Sequence, residues 1–142
     1  MNSWDKKFKG LAEHVAQWSK DRSVKVGAVI ADTRNTVVSI GYNGFPRGVD
    51  DDVEERHERP AKYKWTEHAE RNAIYNAGQS LVGCSMYLTW FPCADCARAI
   101  AQSGINTLVC NEPDLNDPTW GEDFKIVLEM FCETGVTVRY YD

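Results

Sequence analysis

Four side chains in two short segments have the types and spacing of a catalytic metal site. Cys93 and Cys96 follow Pro92 at the start of a predicted helix, so both sulfurs can point toward one ion. His68 opens an earlier predicted helix, and a strand-to-helix turn at each segment could bring the three side chains together. Two thiolates and one imidazole suit zinc, and three protein ligands leave a fourth position open for water, as in catalytic zinc sites.

Glu70 is the fourth of these side chains and the predicted catalytic residue. It follows His68 by two positions, so it lies in the same helical turn but points in a different direction. A carboxylate placed there lies beside the metal without having to bind it. Zinc lowers the pKa of a bound water to about 7, and the neighbouring carboxylate could then carry the proton to a leaving group.

The same residues leave other interpretations open. The Cys-x-x-Cys pair could be a redox dithiol, although no thioredoxin-like pattern surrounds it. A structural zinc site would need a fourth ligand, for which the candidates are Cys84, Cys110, His14 and His57. Glu70 alone could be an ordinary exposed helix charge. Taken together, His-x-Glu followed by Pro-Cys-x-x-Cys is the pattern of zinc-dependent nucleobase deaminases.

Length, composition and charge limit the class of protein. The chain has 142 residues, 43% hydrophobic and 26% charged, which suits a single domain spanning residues 1–142. No stretch approaches the roughly 20 apolar residues of a membrane span, and the N-terminus lacks the apolar core of a secretory signal. We therefore expect a cytoplasmic protein with no membrane partner. The net charge of −5 disfavours a nucleic-acid partner, because such proteins usually present a basic face.

Hydrophobic periodicity and turn residues predict the elements that would position these side chains. The predicted order is α-β-β-α-β-α-β-α-β, with helices at 4–20, 66–78, 92–104 and 121–135 and strands at 24–31, 36–43, 84–90, 105–110 and 136–141. The first two strands should form an antiparallel hairpin, and the later alternation indicates parallel pairing. We expect a three-layer α/β/α domain around a five-stranded mixed sheet, with a long loop at 43–66.

Several side chains are expected to pack in the core of this domain. The apolar face of the first helix is predicted to consist of Trp4, Phe8, Leu11, Val15 and Trp18. The second helix is expected to be anchored by Ile74 and Tyr75. Cysteines outside the site behave as small apolar residues, and this group comprises Cys84, Cys110 and Cys132.

Five longer motifs make the chain resemble the deoxycytidylate (dCMP) deaminases of the cytidine deaminase-like superfamily. They are "VGAVIA" (26–31), "GYNGFPRG" (41–48), "HAERNAI" (68–74), "GCSMYLTWFPCADCARAIAQSGI" (83–105) and "GVTVRYY" (135–141). The resemblance implies zinc-dependent hydrolysis of dCMP to dUMP, which feeds thymidylate synthesis. It assigns the zinc to His68, Cys93 and Cys96, and to Glu70 the protonation of ring N3 and of the departing ammonia.

The resemblance also implies substrate contacts outside the metal site. Asn43 would meet the sugar, although Asn-Gly is also a common turn pair. The Ala69 N–H and the Phe91 carbonyl would hold the pyrimidine edge. A phosphate needs cations as well, and the candidates in or beside the motifs are Arg22, Lys25, Arg47, Lys62, Lys64 and Arg71. Among these we favour Lys25, which directly precedes the VGAV strand.

Regulation and assembly are further implications of the resemblance. Members of the family are typically homo-hexamers, and dCTP activates and dTTP inhibits many of them. The effector contacts would fall in the GYNG loop, on Gly41, Tyr42, Gly44, Phe45 and Arg47. Some relatives carry a second, structural zinc in the insert before the HAE motif. Here that insert (49–67) has no cysteine, so we expect one Zn²⁺ per chain.

Three functional alternatives stay open. The enzyme could accept dCTP as well as dCMP, or it could act on a polynucleotide in the manner of the tRNA adenosine deaminases. The acidic net charge and the GYNGFP loop speak against a polynucleotide. The chain could also bind zinc without catalysis, but a structural site has no use for the Glu70 carboxylate beside an open coordination position.

Overall fold

The computed structural model describes residues 1–142 and contains one five-stranded sheet. The strands are Gly27–Ala31 (β1), Val37–Tyr42 (β2), Ser85–Leu88 (β3), Thr107–Cys110 (β4) and Thr137–Tyr140 (β5). Their spatial order is β2-β1-β3-β4-β5. β1 pairs antiparallel with β2 and β3, whereas β3, β4 and β5 pair in parallel, so the expected mixed sheet is confirmed.

Helices cover both faces of this sheet. They are Ser3–Ala16 (α1), the single turn Lys62–Trp65 (α2), Ala69–Asn76 (α3), Ala94–Ser103 (α4) and Gly121–Thr134 (α5). Successive strand side chains point to opposite faces: Ala28 and Ile30 belong to the larger core cluster with residues of α3, α4 and α5. Val29 and Ala31 instead pack with Phe8 of α1. The three helices nearest the predicted site therefore share one layer. None of the helices combines the length and apolarity needed to cross a lipid bilayer.

The buried face of α1 differs from the expected one. Phe8 and Val15 are buried, but Trp4 and Trp18 are 41% and 48% exposed. The helix ends at Ala16, so Trp18 lies beyond it and does not continue the helical face. The small residues Ala12 and Ala16 take the central positions instead, which lets the helix backbone approach Gly27 of β1 closely.

Three other packing predictions have mixed outcomes. Cys84 and Cys110 are buried as expected, whereas Cys132 is exposed. The buried residues of α5 are Phe124, Val127 and Phe131, and the position after Phe131 is rotated by about 100° away from that face. Tyr75 is 67% exposed for a similar reason, because the buried residues of α3 end at Ala73. Ile74 does pack against the core.

The segment predicted as one long loop contains local structure. A 3₁₀ turn at Glu54–His57 and the helix α2 interrupt it. α2 carries Lys62, which is 9% exposed and bonds Asp21 through its ammonium group at 3.1 Å. The insert therefore contributes Lys62 to a largely buried charge pair with Asp21.

Candidate active site

Two helix N-termini meet at one end of the sheet and carry the predicted metal ligands. His68 is the N-cap residue of α3, and Cys93 is the N-cap residue of α4. The helix predicted from Thr66 thus begins later, at Ala69. The cause is a β-bridge in which Glu67 exchanges backbone hydrogen bonds of 2.8 and 3.0 Å with Gly44, holding the chain extended up to His68. The GYNG segment thereby fixes where α3 starts.

The three ligand atoms converge as a metal site requires. His68, Cys93 and Cys96 offer atoms that all lie within 4.8 Å of one another. His68 Nδ1 lies 3.3 Å from the Cys96 sulfur and 3.6 Å from the Cys93 sulfur. One imidazole nitrogen and two sulfurs form the donor set of catalytic zinc sites, so this group could bind zinc.

Hydrogen bonds among the three predicted ligands shift their pKa values in different directions. The pKa of Cys93 is lowered to about 4, because the Cys96 thiol and then the His68 ring hydrogen-bond to its sulfur. The same bond to Cys93 raises the pKa of Cys96, and burial adds to this. The bond to Cys93 also raises the pKa of His68. A thiolate at the N-terminus of α4 is consistent with the helix dipole, which favours negative charge there.

Glu70 is a buried carboxyl group in the first turn of α3. It is 4% exposed, and burial raises its pKa above the usual range because the charged form loses its water. Glu70, His68 and Cys93 all line the same cavity. A carboxyl group that holds its proton more tightly, next to a cation site, has the properties of a general acid–base.

The cavity in front of these residues has a volume of about 360 Å³, within the usual range for small-molecule sites. Its wall combines apolar and polar groups, which include Val26, Asn43, Lys62, Tyr63, Ala69, Trp90, Phe91, Thr119, Trp120 and Phe124. The indoles of Trp90 and Trp120 are 45% and 40% exposed. Polar groups and aromatic rings thus line the same cavity.

Residues 2–112 match the sequence model of the cytidine and deoxycytidylate deaminase zinc-binding region. The chain belongs to this family. It is 43% identical to a deaminase in the luxG 3′ region of Aliivibrio fischeri over 99% of this chain and 95% of that one. It is 38% identical to the human deoxycytidylate deaminase, over 97% and 79% of the respective chains.

Structural comparison agrees with this family membership. The dCMP deaminase of cyanophage S-TIM5, crystallised with dCMP and dUMP, superposes with a TM-score of 0.77 at 26% identity over 99% of each chain. The fold expected for the cytidine deaminase-like superfamily is therefore confirmed.

Three of the four predicted substrate contacts line the cavity, and among them Asn43 already makes hydrogen bonds within the chain. Its side-chain oxygen accepts from the Val26 N–H at 2.9 Å, and its amide nitrogen donates to the Val24 carbonyl at 2.8 Å. The Asn43 side chain thus ties the 24–26 segment to the end of β2. Ala69 and Phe91 also line the cavity, and both are buried.

The cations are distributed differently from the expectation. Lys25 is exposed and is not among the residues lining the cavity, whereas Lys62 and Arg59 are. Other candidates hold partners of their own: Arg22 pairs with Glu54, and Arg71 pairs with Glu67 at 2.6 Å. Lys62 was one of six candidates from the sequence. Arg59 was missed, because nothing in a charged insert singles it out.

The residues predicted for effector binding have different environments. Gly41 is buried under α3, whereas Tyr42 is exposed. Phe45 packs against the His57 ring at a centroid distance of 4.9 Å. Arg47 donates to the Asn76 side chain at 3.0 Å, and Gly44 forms the bridge that sets the start of α3.

The start of α5 contributes residues that the sequence did not indicate. Trp120 and Phe124 line the cavity, and Asp123 Oδ2 accepts a hydrogen bond of 2.9 Å from the Ala94 N–H. Trp120 directly precedes the helix predicted at 121–135, which ends at a glycine, and Asp123 and Phe124 lie in its first turn. No pattern in the sequence places that helix beside the metal ligands.

Proposed function

We propose that the chain catalyses zinc-dependent hydrolytic deamination of dCMP to dUMP and ammonia. The observation that carries the proposal is the buried Glu70 carboxyl group beside His68, Cys93 and Cys96 in a cavity of nucleotide size. The deoxycytidylate deaminases among its relatives, and the dCMP and dUMP bound to the cyanophage enzyme, support this choice of substrate.

The chemistry divides between the metal ligands and Glu70. His68, Cys93 and Cys96 would hold the zinc, which when bound would act as a Lewis acid and make water nucleophilic near neutral pH. Glu70 accepts one proton from the attacking water and delivers it to ring N3. It then takes the second proton from the hydroxyl group formed on C4 and gives it to the amino group, so that the C4–N bond breaks, ammonia leaves and the C4 carbonyl forms. The raised pKa of Glu70 suits a group that must both take up and release a proton.

Backbone and side-chain groups of the cavity would orient the nucleoside. The Ala69 N–H and the Phe91 carbonyl hold the pyrimidine edge. Asn43 keeps one amide hydrogen and one oxygen lone pair beyond the bonds that it makes to Val24 and Val26, and these remain for the sugar.

Lys62 is proposed to bind the 5′-phosphate in place of Lys25, because Lys62 lines the cavity and Lys25 does not. Its ammonium group has three N–H donors. One bonds Asp21 at 3.1 Å and one lies 3.4 Å from the Ser23 hydroxyl, which leaves the third for the ligand. Arg59 lines the same cavity and adds a second positive charge.

Glu70→Gln tests the catalytic assignment. The amide preserves the size of the side chain but cannot carry the proton, so turnover of dCMP should fall by at least 100-fold, as is typical for loss of a general acid–base, while zinc content is retained. Glu122→Gln, in an exposed helix turn, is the control and should behave as wild type. Wild-type turnover by Glu70→Gln would refute the assignment.

The substrate is tested by assaying deoxycytidine, dCMP and dCTP side by side. The proposal expects dCMP to have the highest kcat/KM. Equal use of dCTP would favour the broader substrate range, and activity that requires a polynucleotide and falls steeply with salt would favour the tRNA-type alternative.

The family resemblance supports three further proposals. They are allosteric control by dCTP and dTTP, assembly into a homo-hexamer, and production of dUMP for thymidylate synthesis. Beside Gly44 and Phe45 lies a small recess lined by Lys20, Arg22 and His57 and also by Asp21 and Asp51. Lys20 and Arg22 are paired with Asp51 and Glu54, so an anionic effector bound there would have to compete with these acids. Substrate saturation curves should shift to higher affinity with dCTP and to lower affinity with dTTP. Hyperbolic saturation curves that neither nucleotide changes would rule out this regulation. Metal analysis that finds two zinc ions per chain would contradict the proposal of one Zn²⁺ per chain.

A further inference from the structure

We propose that Asp123 is a positioning residue that fixes the metal-binding turn of α4 from the start of α5. Its carboxylate oxygen Oδ2 accepts the Ala94 N–H at 2.9 Å. Ala94 is the first residue of α4 and lies between the ligands Cys93 and Cys96. The inference rests on the proposed zinc-binding role of those cysteines and adds a group that holds them in place.

The position of Cys93 explains why α4 needs such a partner. The first backbone N–H groups of a helix have no acceptor within the helix, and the N-cap side chain commonly supplies one. Here the N-cap residue is Cys93, and its side chain makes no capping hydrogen bond, because its sulfur faces His68 instead. Asp123 provides from another helix an acceptor for the N–H of Ala94, the first residue of α4. An N-cap side chain would not serve this group, because it accepts from the second or third N–H of the helix.

A second contact from α5 supports the other side of the same turn. Phe124, the next residue, packs edge-on against Phe91 at a centroid distance of 5.1 Å, and both rings are buried. Phe91 comes two residues before Cys93, and Ala94 comes directly after it. The start of α5 therefore contacts the metal-binding turn through an apolar pair on one side and a charged hydrogen bond on the other.

The start of α5 is itself held in a fixed place. Gly121, its first residue, is buried against the backbone of the preceding loop, where an added Cβ would lie 3.0 Å from the Leu115 carbonyl carbon.

Two acids near Asp123 form ion pairs with other side chains. Glu122 pairs with Lys125, and Asp95 pairs with Arg98. Asp123 alone of these three acids is directed at the α4 backbone. The family model ends at residue 112, before this helix.

Zinc release tests the proposal without using turnover. The zinc-loaded full chain is mixed with an excess of a chromogenic chelator, and the rate of zinc transfer is measured. Asp123→Ala should release zinc roughly tenfold or more faster than wild type, because groups that orient metal ligands typically contribute 10- to 100-fold to affinity. Asp123→Asn keeps an oxygen acceptor and should recover most of the wild-type rate.

Two controls separate positioning from general stability. Glu122→Ala removes an exposed acid from the same helical turn and should release zinc at the wild-type rate. Phe8→Leu weakens the core on the opposite face of the sheet, so it should lower Tm without accelerating release. Zinc release by Asp123→Ala no faster than by Glu122→Ala would overturn the proposal.

A measurement on the wild-type chain covers the case in which Asp123→Ala does not fold. The Ala94 amide should exchange with deuterium more slowly than an unbonded first-turn amide, in metal-free protein as well as in the zinc form. Rapid exchange at Ala94 would overturn the proposal. Neither experiment needs dCMP, so a failure here is distinct from a failure of the Glu70→Gln test.

Discussion

Gly41→Ala should reduce both stability and activity, although Gly41 is not among the residues that line the cavity. Gly41 lies in β2 directly beneath the first turns of α3. A Cβ at this position would lie 2.9 Å from the Ala73 Cα and closer still to the Ala69 oxygen and the Ala73 nitrogen. These are backbone atoms of the helix that follows His68, so no side-chain rotation can relieve the contact.

The required displacement sets the size of the effect. Ordinary contacts begin at 3.4 Å, so α3 must retreat from the Ala73 Cα by at least about 0.5 Å. Overpacking of this kind costs about 1–3 kcal/mol, which for a chain of 142 residues lowers Tm by roughly 3–10 °C. A shift of about 1 Å at a reacting group can cost 100-fold in rate, so kcat/KM should fall by roughly 10- to 100-fold.

Gly44→Ala is the matched control from the same motif. An added Cβ there meets nothing within 4 Å, so Tm and kcat/KM should stay near wild type. The two variants are compared by thermal unfolding and by dCMP turnover without effector. Wild-type behaviour of Gly41→Ala, or an equal loss in Gly44→Ala, would refute the packing role. A Gly41→Ala variant impaired only in its response to dCTP or dTTP would point to effector binding.

Two further predictions concern the Lys62–Asp21 pair. Lys62→Met should lower kcat/KM for dCMP by tenfold or more, since a hydrogen bond to a charged group contributes about 1.5–3 kcal/mol, but it should leave kcat/KM for deoxycytidine unchanged. An equal loss on both substrates would contradict a phosphate role. Lys64→Met, at an exposed position, is the control. Although burial raises the pKa of Asp21, hydrogen bonds from the N–H groups of Ser23 and Val24 and from Lys62 hold it below its usual 3.8. Its stabilisation is therefore complete above that pH and is lost as the pH falls through the lowered value. Denaturant titrations from about pH 5 to about pH 2 should show a steeper loss for wild type than for Asp21→Asn, and equal slopes would contradict this.

The grouping of the metal ligands could be predicted because it depends on local spacing. Cys93 and Cys96 share the first turn of one helix, and His68 and Glu70 share the start of another. The alternation of strands and helices then implies that both helices begin at the same end of the sheet. The donor types, the turn residues and the fold class therefore all predict that these side chains lie together. In the structure the three ligand atoms do lie close to one another.

Contacts made by neighbouring segments could not be predicted in this way. Lys25 directly precedes a site strand, yet it is exposed, while Lys62, from a charged insert, lines the cavity. Closeness along the chain to a motif does not determine which way a side chain points. Asp123 is a similar case, because its bond to Ala94 depends on how α5 packs against α4. That packing is a property of the whole core.

The direction of β1 explains why motifs far apart in the chain meet at this one end of the sheet. β1 runs antiparallel to β3, so its first residue lies beside the last residues of β3, and the Gly27 N–H donates to Thr89 Oγ1 at 3.0 Å. Asn43 follows β2 and reaches back to the Val26 N–H at the same end. Ligands of open α/β sheets bind outside the carboxyl ends of parallel strands. Here the antiparallel hairpin brings its own polar end to that crevice, so the half of the chain that holds no metal ligand can still contact the nucleotide.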